Sequence, residues 1–332
     1  MAQLNTKYLG LDIKSPIIVS SCGLTDSVDK IKDIEAAGAG AVVLKSLFEE
    51  QIKGQALQLD HHVGYHGYPE AYDYVNAYVE ANHLSDYISL IKNAKKEVEI
   101  PIIASVNCIS EEGWFDFAKK IEEAGADALE VNIFMLPNES SKSSNDYEEL
   151  YLDVARRLSA DLKIPVSFKI GFYFTNILGF CDKLYHAGAK GVVMFNRFFE
   201  PDIDIEKMEI VSADRLSFPS EIRKSLRWIG IVSDKDKKFD IASSTGIHDS
   251  EAAIKMILVG AQAVQVCSAI YQEGLGVLED INNGISAWMD DKGFSKIEDL
   301  RYKMNYSNVP DAQMFERSQF MKYYSNAMEV QY

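Results

Sequence analysis

Short apolar runs in this chain end, one after another, on polar or small residues. Lys45 and Ser46 close "AVVLKS", Lys169 sits in "IPVSFKI", Asn132 ends "ALEVN" and Asn196 follows "GVVMF". Ser21, Cys22 and Gly23 follow "SPIIVS", and Ser105 and Asn107 close "IIASVN". Ser244, Thr245 and Gly246 follow "FDIAS", while Cys267 and Ser268 follow "AVQV". A lysine on an apolar strand costs free energy unless an anion or an acceptor meets it. Lys45 and Lys169 therefore face either a ligand or carboxylates and carbonyls at the strand ends. The segment "SSTG" (243–246) offers hydroxyls and backbone N–H groups beside a glycine, and "CSAIYQEG" (267–274) reads as the start of a short helix. Both suit a phosphate. Ordinary capping by Ser250 and Ser268 is the alternative for either segment taken alone.

The elements that carry these residues announce themselves by repetition. "EAAGAGAVVLKS" (35–46), "EEAGADALEVNI" (122–133), "YHAGAKGVVMFN" (185–196) and "ILVGAQAVQVCS" (257–268) share one plan. A helix ends at Gly38, Gly125, Gly188 or Gly260, since glycine takes the left-handed position after a helix at little cost. A small alanine follows, then a β-branched run suited to a strand buried on both faces. A second phrase alternates with the first: "SPIIVSS" (15–21), "IPIIASV" (100–106), "IPVSFKI" (164–170) and "FDIASST" (239–245). In three of these a proline sits where it need not donate to a ladder. Helices are predicted over 26–37, 110–124, 146–160 and 249–259. Eight strand–helix alternations predict an α/β fold, a (β/α)8 TIM barrel, with ligands at the C-terminal ends of the strands. A doubly wound open sheet is the runner-up, but no GxGxxG follows the first strand. Two inserts, about Phe48 to Asp86 and about Arg197 to Ser217, are read as extended loops after strands two and six. The reading is one domain over 1–332, with a C-terminal helical tail from about Gly293.

Composition narrows the partners. The 332 residues are 47% hydrophobic, enough for a sizeable core, and no run approaches the roughly 20 apolar residues of a membrane span. The opening "MAQLNTKYLGLDIKSP" lacks the pattern of a signal peptide, so a cytoplasmic location is expected. Fifty acidic against 34 basic residues give a formal charge of −16, which repels phosphate backbones and argues against nucleic acid. The four cysteines, Cys22, Cys108, Cys181 and Cys267, are scattered and form no metal-ligand spacing.

With "LGLDIKSPIIVSSCG" at one end, "GFSKIEDLR" (293–301) near the other and "GAQAVQVCSAIYQEG" (260–274) between, the chain resembles the soluble branch of the dihydroorotate dehydrogenase family over nearly its whole length. The order and spacing of the lysine-serine after strand two, the Asn ending strand four, the lysine of strand five and the Asn after strand six carry the likeness. The resemblance implies FMN across the barrel mouth, action on CH–CH bonds, a place in pyrimidine biosynthesis and a homodimer. Carried over, Ser21, Cys22 and Gly23 approach the flavin ring, Lys45 and Ser46 face its edge, and Lys169 lies near its N1/O2 side. Such a cation is the usual way a protein tunes the cofactor. Ser244, Thr245, Gly246, Cys267 and Ser268 hold its phosphate. Asn132, Asn138 and Asn196 match substrate-binding asparagines, whose amides both donate and accept. For Asn132 and Asn196 the alternative is tying loops together.

The departures fall on proton transfer and flavin seating. Soluble family members place a cysteine in the loop after strand four as the base. This chain reads "NIFMLPN" (132–138), with Leu136 at that position and one residue inserted relative to the family pattern. Neither Met135 nor Leu136 accepts a proton, so the catalytic set is Lys45 and Lys169, with Ser140 (next to Ser141) and His66 as candidate bases. His66 belongs to "LDHHVGYHGYPE" (59–70), with His61, His62, Tyr65 and Tyr68, where the alternative is a surface loop with scattered histidines. Arg197 replaces a usual Ser or Thr and favours a more anionic ligand. "DRLSFP" (214–219) stands where a glycine-rich segment helps to seat flavin.

Two alternatives stay open. One is a Schiff-base aldolase or lyase using Lys45 or Lys169. The other is a flavin-binding protein without its own turnover, whose tail aromatics Phe315, Phe320, Tyr323 and Tyr324 pack on the barrel or across a dimer. The expected partner in every case is a small molecule.

Overall fold

The computed structural model describes residues 2–48, 69–108, 114–133, 135–234 and 238–317. A hairpin of β1 (Thr6–Tyr8) and β2 (Leu11–Ile13) precedes the barrel. The barrel strands are β3 (Ile17–Val19), β4 (Ala41–Val43), β6 (Ile102–Cys108), β7 (Ala128–Ile133), β8 (Val166–Ile170), β9 (Gly191–Met194), β12 (Asp240–Ser244) and β13 (Ala263–Val266). They pair in parallel in the order β4-β3-β13-β12-β9-β8-β7-β6, and a β4–β6 pairing closes the ring. A short β5 (Leu47–Phe48) adds to the upper part of β6, and β10 (Pro201–Asp204) and β11 (Glu209–Ser212) form a separate hairpin. All eight strands expected from the sequence are present, so the predicted (β/α)8 barrel is the observed fold.

The repeated Gly-Ala phrase has one local cause. Gly38, Gly125, Gly188 and Gly260 all have φ between +92° and +115°. In each case the following alanine N–H reaches back five residues: Ala39 to Ile34, Ala126 to Ile121, Ala189 to Leu184 and Ala261 to Met256. That is the Schellman closure, which satisfies a helix-end carbonyl and turns the chain directly into the next strand. The four alanines are buried at the helix–strand junctions.

Strand alternation sorts the core into two shells. Ile18, Ala41, Val43, Ile103, Ala128, Val193, Ala242 and Ala263 point into the barrel, where Tyr8, Leu9 and Ile13 of the β1–β2 hairpin plug its lower end. Their neighbours, such as Val19, Val42, Ala104, Val131, Phe168 and Val264, pack outward against the helices. Continuing the inner line by twos brings Ser105, Asn107, Glu130, Asn132, Ser167, Lys169, Ser244 and Gln265 toward the upper end. The interior therefore changes from apolar below to polar above.

Four helices match the predicted segments: Val28–Ala36, Trp114–Glu123, Ser144–Asp161 and Ser250–Leu258. The first insert differs from a simple loop, because its second half belongs to the helix Pro69–Glu97. Leu84, Tyr87, Ile91 and Ala94 of that helix, followed by Val98, are buried against the barrel. The second insert carries the β10–β11 hairpin. Beyond the helix Gly276–Lys292, the described part of the tail holds only two single-turn helices, Ile297–Leu300 and Gln313–Glu316. His61, His62, Tyr65, His66, Tyr68, Phe320, Tyr323 and Tyr324 lie outside the described residues. Among the described residues, no helix is long and apolar enough to cross a membrane.

Candidate active site at the barrel mouth

Lys169, on β8, is 7% exposed and is the best-anchored group at the mouth. Its Nζ donates to Ser20 Oγ at 3.0 Å and to Gln265 Oε1 at 3.0 Å. Glu130 Oε1 lies 3.9 Å away. Ser20 Oγ donates in turn to Gln265 Oε1 at 3.1 Å, and Gln265 Nε2 donates to Glu130 Oε2 at 2.5 Å. Residues from β7, β8 and β13 and the end of β3 thus converge on one ammonium. Burying a charge alone is costly, and an opposite charge with hydrogen bonds offsets that cost. Glu130 is 1% exposed, and its Oε1 has no hydrogen-bond partner, leaving an acceptor inside the barrel. Asn107 Oδ1 is a second buried acceptor without a partner.

The end of β12 makes a tight turn. Thr245 has φ +75° and Gly246 has φ +79°. A Cβ on Gly246 would stand 2.6 Å from the backbone nitrogen of Ile222, so the turn presses against the start of the helix Ile222–Val232. Thr245 Oγ1 donates to the Phe195 carbonyl at 2.9 Å, tying this turn to the end of β9. Ser217 closes the other side: its N–H donates to Ser268 Oγ at 2.9 Å, and its Oγ lies 3.2 Å from both the Gly246 nitrogen and His248 Nε2. Ser268 opens the short helix Ser268–Glu273 expected from the sequence.

Between these groups is a cavity of about 200 Å³, lined by Lys169, Arg197, Arg215, Ser21, Asn196, Ser244, Thr245, Gly246, Cys267 and Ser268, among others. Three of the lining residues are cations and none is a carboxylate. Behind this lining, Glu130 stands 3.9 Å from the Lys169 ammonium, and Glu221 and Glu200 meet the Arg197 guanidinium at 3.2 and 3.5 Å, so two of the three cations are already paired. Arg197 is held by Glu221 Oε2 at 3.2 Å and by the Asp214 carbonyl at 2.6 Å. Arg215, within the "DRLSFP" segment, lines the same cavity.

Hydroxyls link the opposite rim. Ser21 Oγ is 3.0 Å from Ser46 Oγ, which is 2.7 Å from Ser105 Oγ. Tyr87 fixes this row by hydrogen bonds to both the N–H and the carbonyl of Ser105. Lys45 is exposed, in contrast to Lys169, and its N–H donates to the Thr25 carbonyl at 3.3 Å. Cys22 and Cys267 are both half-buried, with their thiols in contact. Gly23 lies beside the Tyr271 hydroxyl.

The loop after β7 borders a second cavity of about 220 Å³, walled by Met135, Pro137, Tyr147, Tyr151, Gly171, Tyr173, Phe174 and Phe198, among others. Leu136, at the position matched to the family's base, is 56% exposed and lines neither cavity. Met135 takes the inward place. Ser140 is exposed on the same loop. Asn132 Oδ1 accepts from Asn196 Nδ2 at 3.2 Å, so these two amides meet, whereas Asn138 is exposed and lines neither cavity.

Sequence reasoning missed Ser20, Glu130, Gln265 and Arg215. The first three were readable, because stepping back by two from Cys22, Asn132 and Cys267 stays on the same strand face. Arg215 had no such signal, since it sits in a long connection without a period.

Comparison with known proteins agrees with this architecture. The family model described as dihydroorotate dehydrogenase matches residues 3–289. The catalytic subunit of dihydroorotate dehydrogenase B (NAD(+)) from Thermoplasma acidophilum is 27% identical over 311 residues, spanning 90% of this chain and 98% of that protein. The corresponding subunit from Methanocaldococcus jannaschii is 27% identical over 301 residues, spanning 88% and 95%. The NAD-dependent dihydropyrimidine dehydrogenase subunit PreA of Escherichia coli is 25% identical over 339 residues, spanning 95% and 80%. With a closed parallel barrel, a buried strand-five lysine and a family match over most of its length, this chain belongs to the dihydroorotate dehydrogenase family.

Proposed function

We propose that the chain is an FMN-dependent oxidoreductase that moves a hydride between flavin and a small, anionic, dihydropyrimidine-like substrate. The observation that carries this reading is the cavity at the ends of β12 and β13, lined by three cations and no carboxylate. Its lining fits the phosphate of FMN: the hydroxyls of Ser244 and Ser268 can donate to it, and Thr245, whose own hydroxyl donates to the Phe195 carbonyl, holds the turn at Gly246, which leaves no room for a Cβ. In this reading Cys267 completes the phosphate end. Ser21, Cys22, Gly23, Lys45, Ser46 and Lys169 border the ring. Bound FMN would supply the hydride acceptor.

The chain's own residues supply position and charge. Lys169 is held as a donor among Ser20, Gln265 and Glu130, which keeps its ammonium at one place on the floor of the site. That engagement suits an electrostatic group better than a Schiff-base nucleophile. The meeting amides of Asn132 and Asn196 present donors and acceptors to a planar substrate. Met135 and Leu136 cannot take a proton, so the base is drawn from Ser140, His66 or the substrate's own solvent. A homodimer and a cytoplasmic location belong to the same reading. Ile203, Ile205, Met208 and Ile210, all strongly exposed on the β10–β11 hairpin, supply apolar surface for association.

The test is an absorbance spectrum of the purified protein, with mass identification of whatever denaturation releases. A flavin spectrum with FMN released supports the reading, and anaerobic bleaching by dihydroorotate then examines the substrate. A colourless protein that also refuses added FMN overturns it.

A further inference from the structure

Two thiols stand side by side at the mouth. Cys22 follows β3 and Cys267 follows β13, and these strands are parallel neighbours in register from Ile17↔Val264 to Val19↔Val266. The link continues above the strands, where the Ser20 N–H donates to the Val266 carbonyl at 2.9 Å. The backbone thus delivers both cysteines to one rim, and their side chains are in hydrogen-bond contact. Both are half-buried, so a small reagent can reach them, whereas Cys181 is buried in the helix Ile177–His186. The Tyr271 hydroxyl hydrogen-bonds Cys22 from the open side, and Lys169 adds positive charge from within the barrel. The oxidoreductase reading does not require this arrangement, since hydride exchange with a flavin uses no thiol pair.

We propose that Cys22 and Cys267 form a reversible dithiol–disulfide site, with Cys22 as the attacking thiol, Cys267 as the resolving thiol and a small hydroperoxide as the oxidant. The contact with Cys267, the largest influence, lowers the Cys22 thiol to about 7, helped by the Leu24 N–H, Tyr271 and Lys169 and opposed by burial. The same contact, together with burial, pushes the Cys267 thiol up. One sulfur is therefore set as the nucleophile and the other keeps its proton. In the first step the Cys22 thiolate attacks a peroxide oxygen. The O–O bond breaks, an S–O bond forms, and hydroxide leaves to take up a proton as water. In the second step the Cys267 sulfur attacks Cys22 sulfenic acid. The S–O bond breaks, the S–S bond forms, and a second water leaves with the Cys267 proton. Two thiols are oxidised by two electrons and one peroxide is reduced to two waters. Bridging draws the sulfurs to about 2.05 Å, a short movement for two side chains already in contact. Because Cys267 lines the cavity at the ends of β12 and β13, the bridge changes the wall of that cavity.

The experiment uses the full chain as purified. Protein reduced with dithiothreitol is treated with one equivalent of hydrogen peroxide, alkylated, digested without reductant and analysed by mass spectrometry. The expected product is a peptide pair joined through Cys22 and Cys267, two hydrogens lighter than the reduced pair and restored by dithiothreitol. Cys267→Ser should stop at Cys22 sulfenic acid, trapped as its dimedone adduct. Cys22→Ser should slow oxidation of Cys267 by about ten-fold or more. Sulfinic acid at either residue without the cross-link overturns the proposal, as does a bridge that uses Cys108 or Cys181 instead. The measurement on the unsubstituted chain needs no variant to fold and no cofactor to be bound, so it is separate from the flavin test.

Discussion

Lys169 and Glu130 meet inside the barrel, Nζ to Oε1 at 3.9 Å, with almost no solvent at either side chain. Gln265 bridges them, accepting from the lysine and donating to the carboxylate. Removing one partner strands a charge in the interior, which costs about 3–5 kcal/mol. Lys169→Met and Glu130→Gln should therefore each destabilise the fold by an amount in that range. The double substitution should cost less than the sum, by about 1 kcal/mol or more. Urea unfolding of the four proteins measures the cycle. Strict additivity would mean that the two charges do not interact.

Gly246 combines a left-handed backbone with a close neighbour. Ala at this position carries a left-handed cost of roughly 1–2 kcal/mol, and its Cβ would also meet the Ile222 nitrogen at 2.6 Å. That backbone atom cannot swing aside, so the helix Ile222–Val232 must shift. Gly246→Ala should lower the melting temperature and weaken FMN uptake, followed by quenching of flavin fluorescence, by about ten-fold or more. A variant that binds FMN as tightly as the parent chain would remove this turn from the phosphate site.

Much of this was legible beforehand, for identifiable reasons. The barrel was readable because four Gly-Ala junctions each need a Schellman closure before a doubly buried strand, and that need is written in residue types. Lys169 was readable because charge on a buried strand stands out. Glu130 and Gln265 were not singled out, although each lies two residues before a polar strand end and so shares its face. The helix Pro69–Glu97 was partly absorbed into an insert, yet its buried positions 84, 87, 91 and 94 follow a helical period. Lys45 reads like Lys169 in sequence but is exposed, because it lies past the end of β4 rather than within a strand. Arg215 could not be read at all: a cation in an irregular connection reaches its site through the path of the loop, which no local pattern encodes.

The Cys22 thiol, lowered to about 7 by its contact with Cys267, gives a signed dependence on pH. The folded value lies below the ordinary thiol value of 9.0, so folding favours the thiolate. The stabilisation grows from about 7 toward the ordinary value and is lost as pH falls through about 7; above the ordinary value the raised Cys267 thiol opposes it. The stability difference between the parent chain and Cys22→Ser should accordingly grow between those limits. Iodoacetamide labelling of Cys22 should rise with a midpoint near 7, and Cys267→Ser should move that midpoint upward. A midpoint unchanged in Cys267→Ser would show that another group lowers the thiol.

On the β10–β11 hairpin, Ile203 and Ile210 face each other across the antiparallel pair, 64% and 77% exposed. Two such neighbours, with Ile205 and Met208 at the turn, form an apolar ridge that water solvates poorly. Ile203→Asp combined with Ile210→Asp should convert a dimer to a monomer in sedimentation equilibrium without lowering the melting temperature. A parent chain that sediments as a monomer at micromolar concentration would dispose of the hairpin as a self-association surface.

The loop after β7 offers the most direct test of proton transfer. Alignment by motif puts the missing base at Leu136, but Leu136 is 56% exposed and lines neither cavity. Met135 is the neighbour that borders the cavity beside Pro137 and Gly171. A thiol at 135 would sit against the enclosed space, and a thiol at 136 would sit in water. With FMN bound and dihydroorotate supplied anaerobically, Met135→Cys should accelerate flavin bleaching by about ten-fold or more, within the range a positioned base contributes. Leu136→Cys should leave the rate unchanged. Acceleration by Leu136→Cys alone would mean that the loop turns inward when substrate binds, and that position 136, despite its exposure here, is where the base belongs.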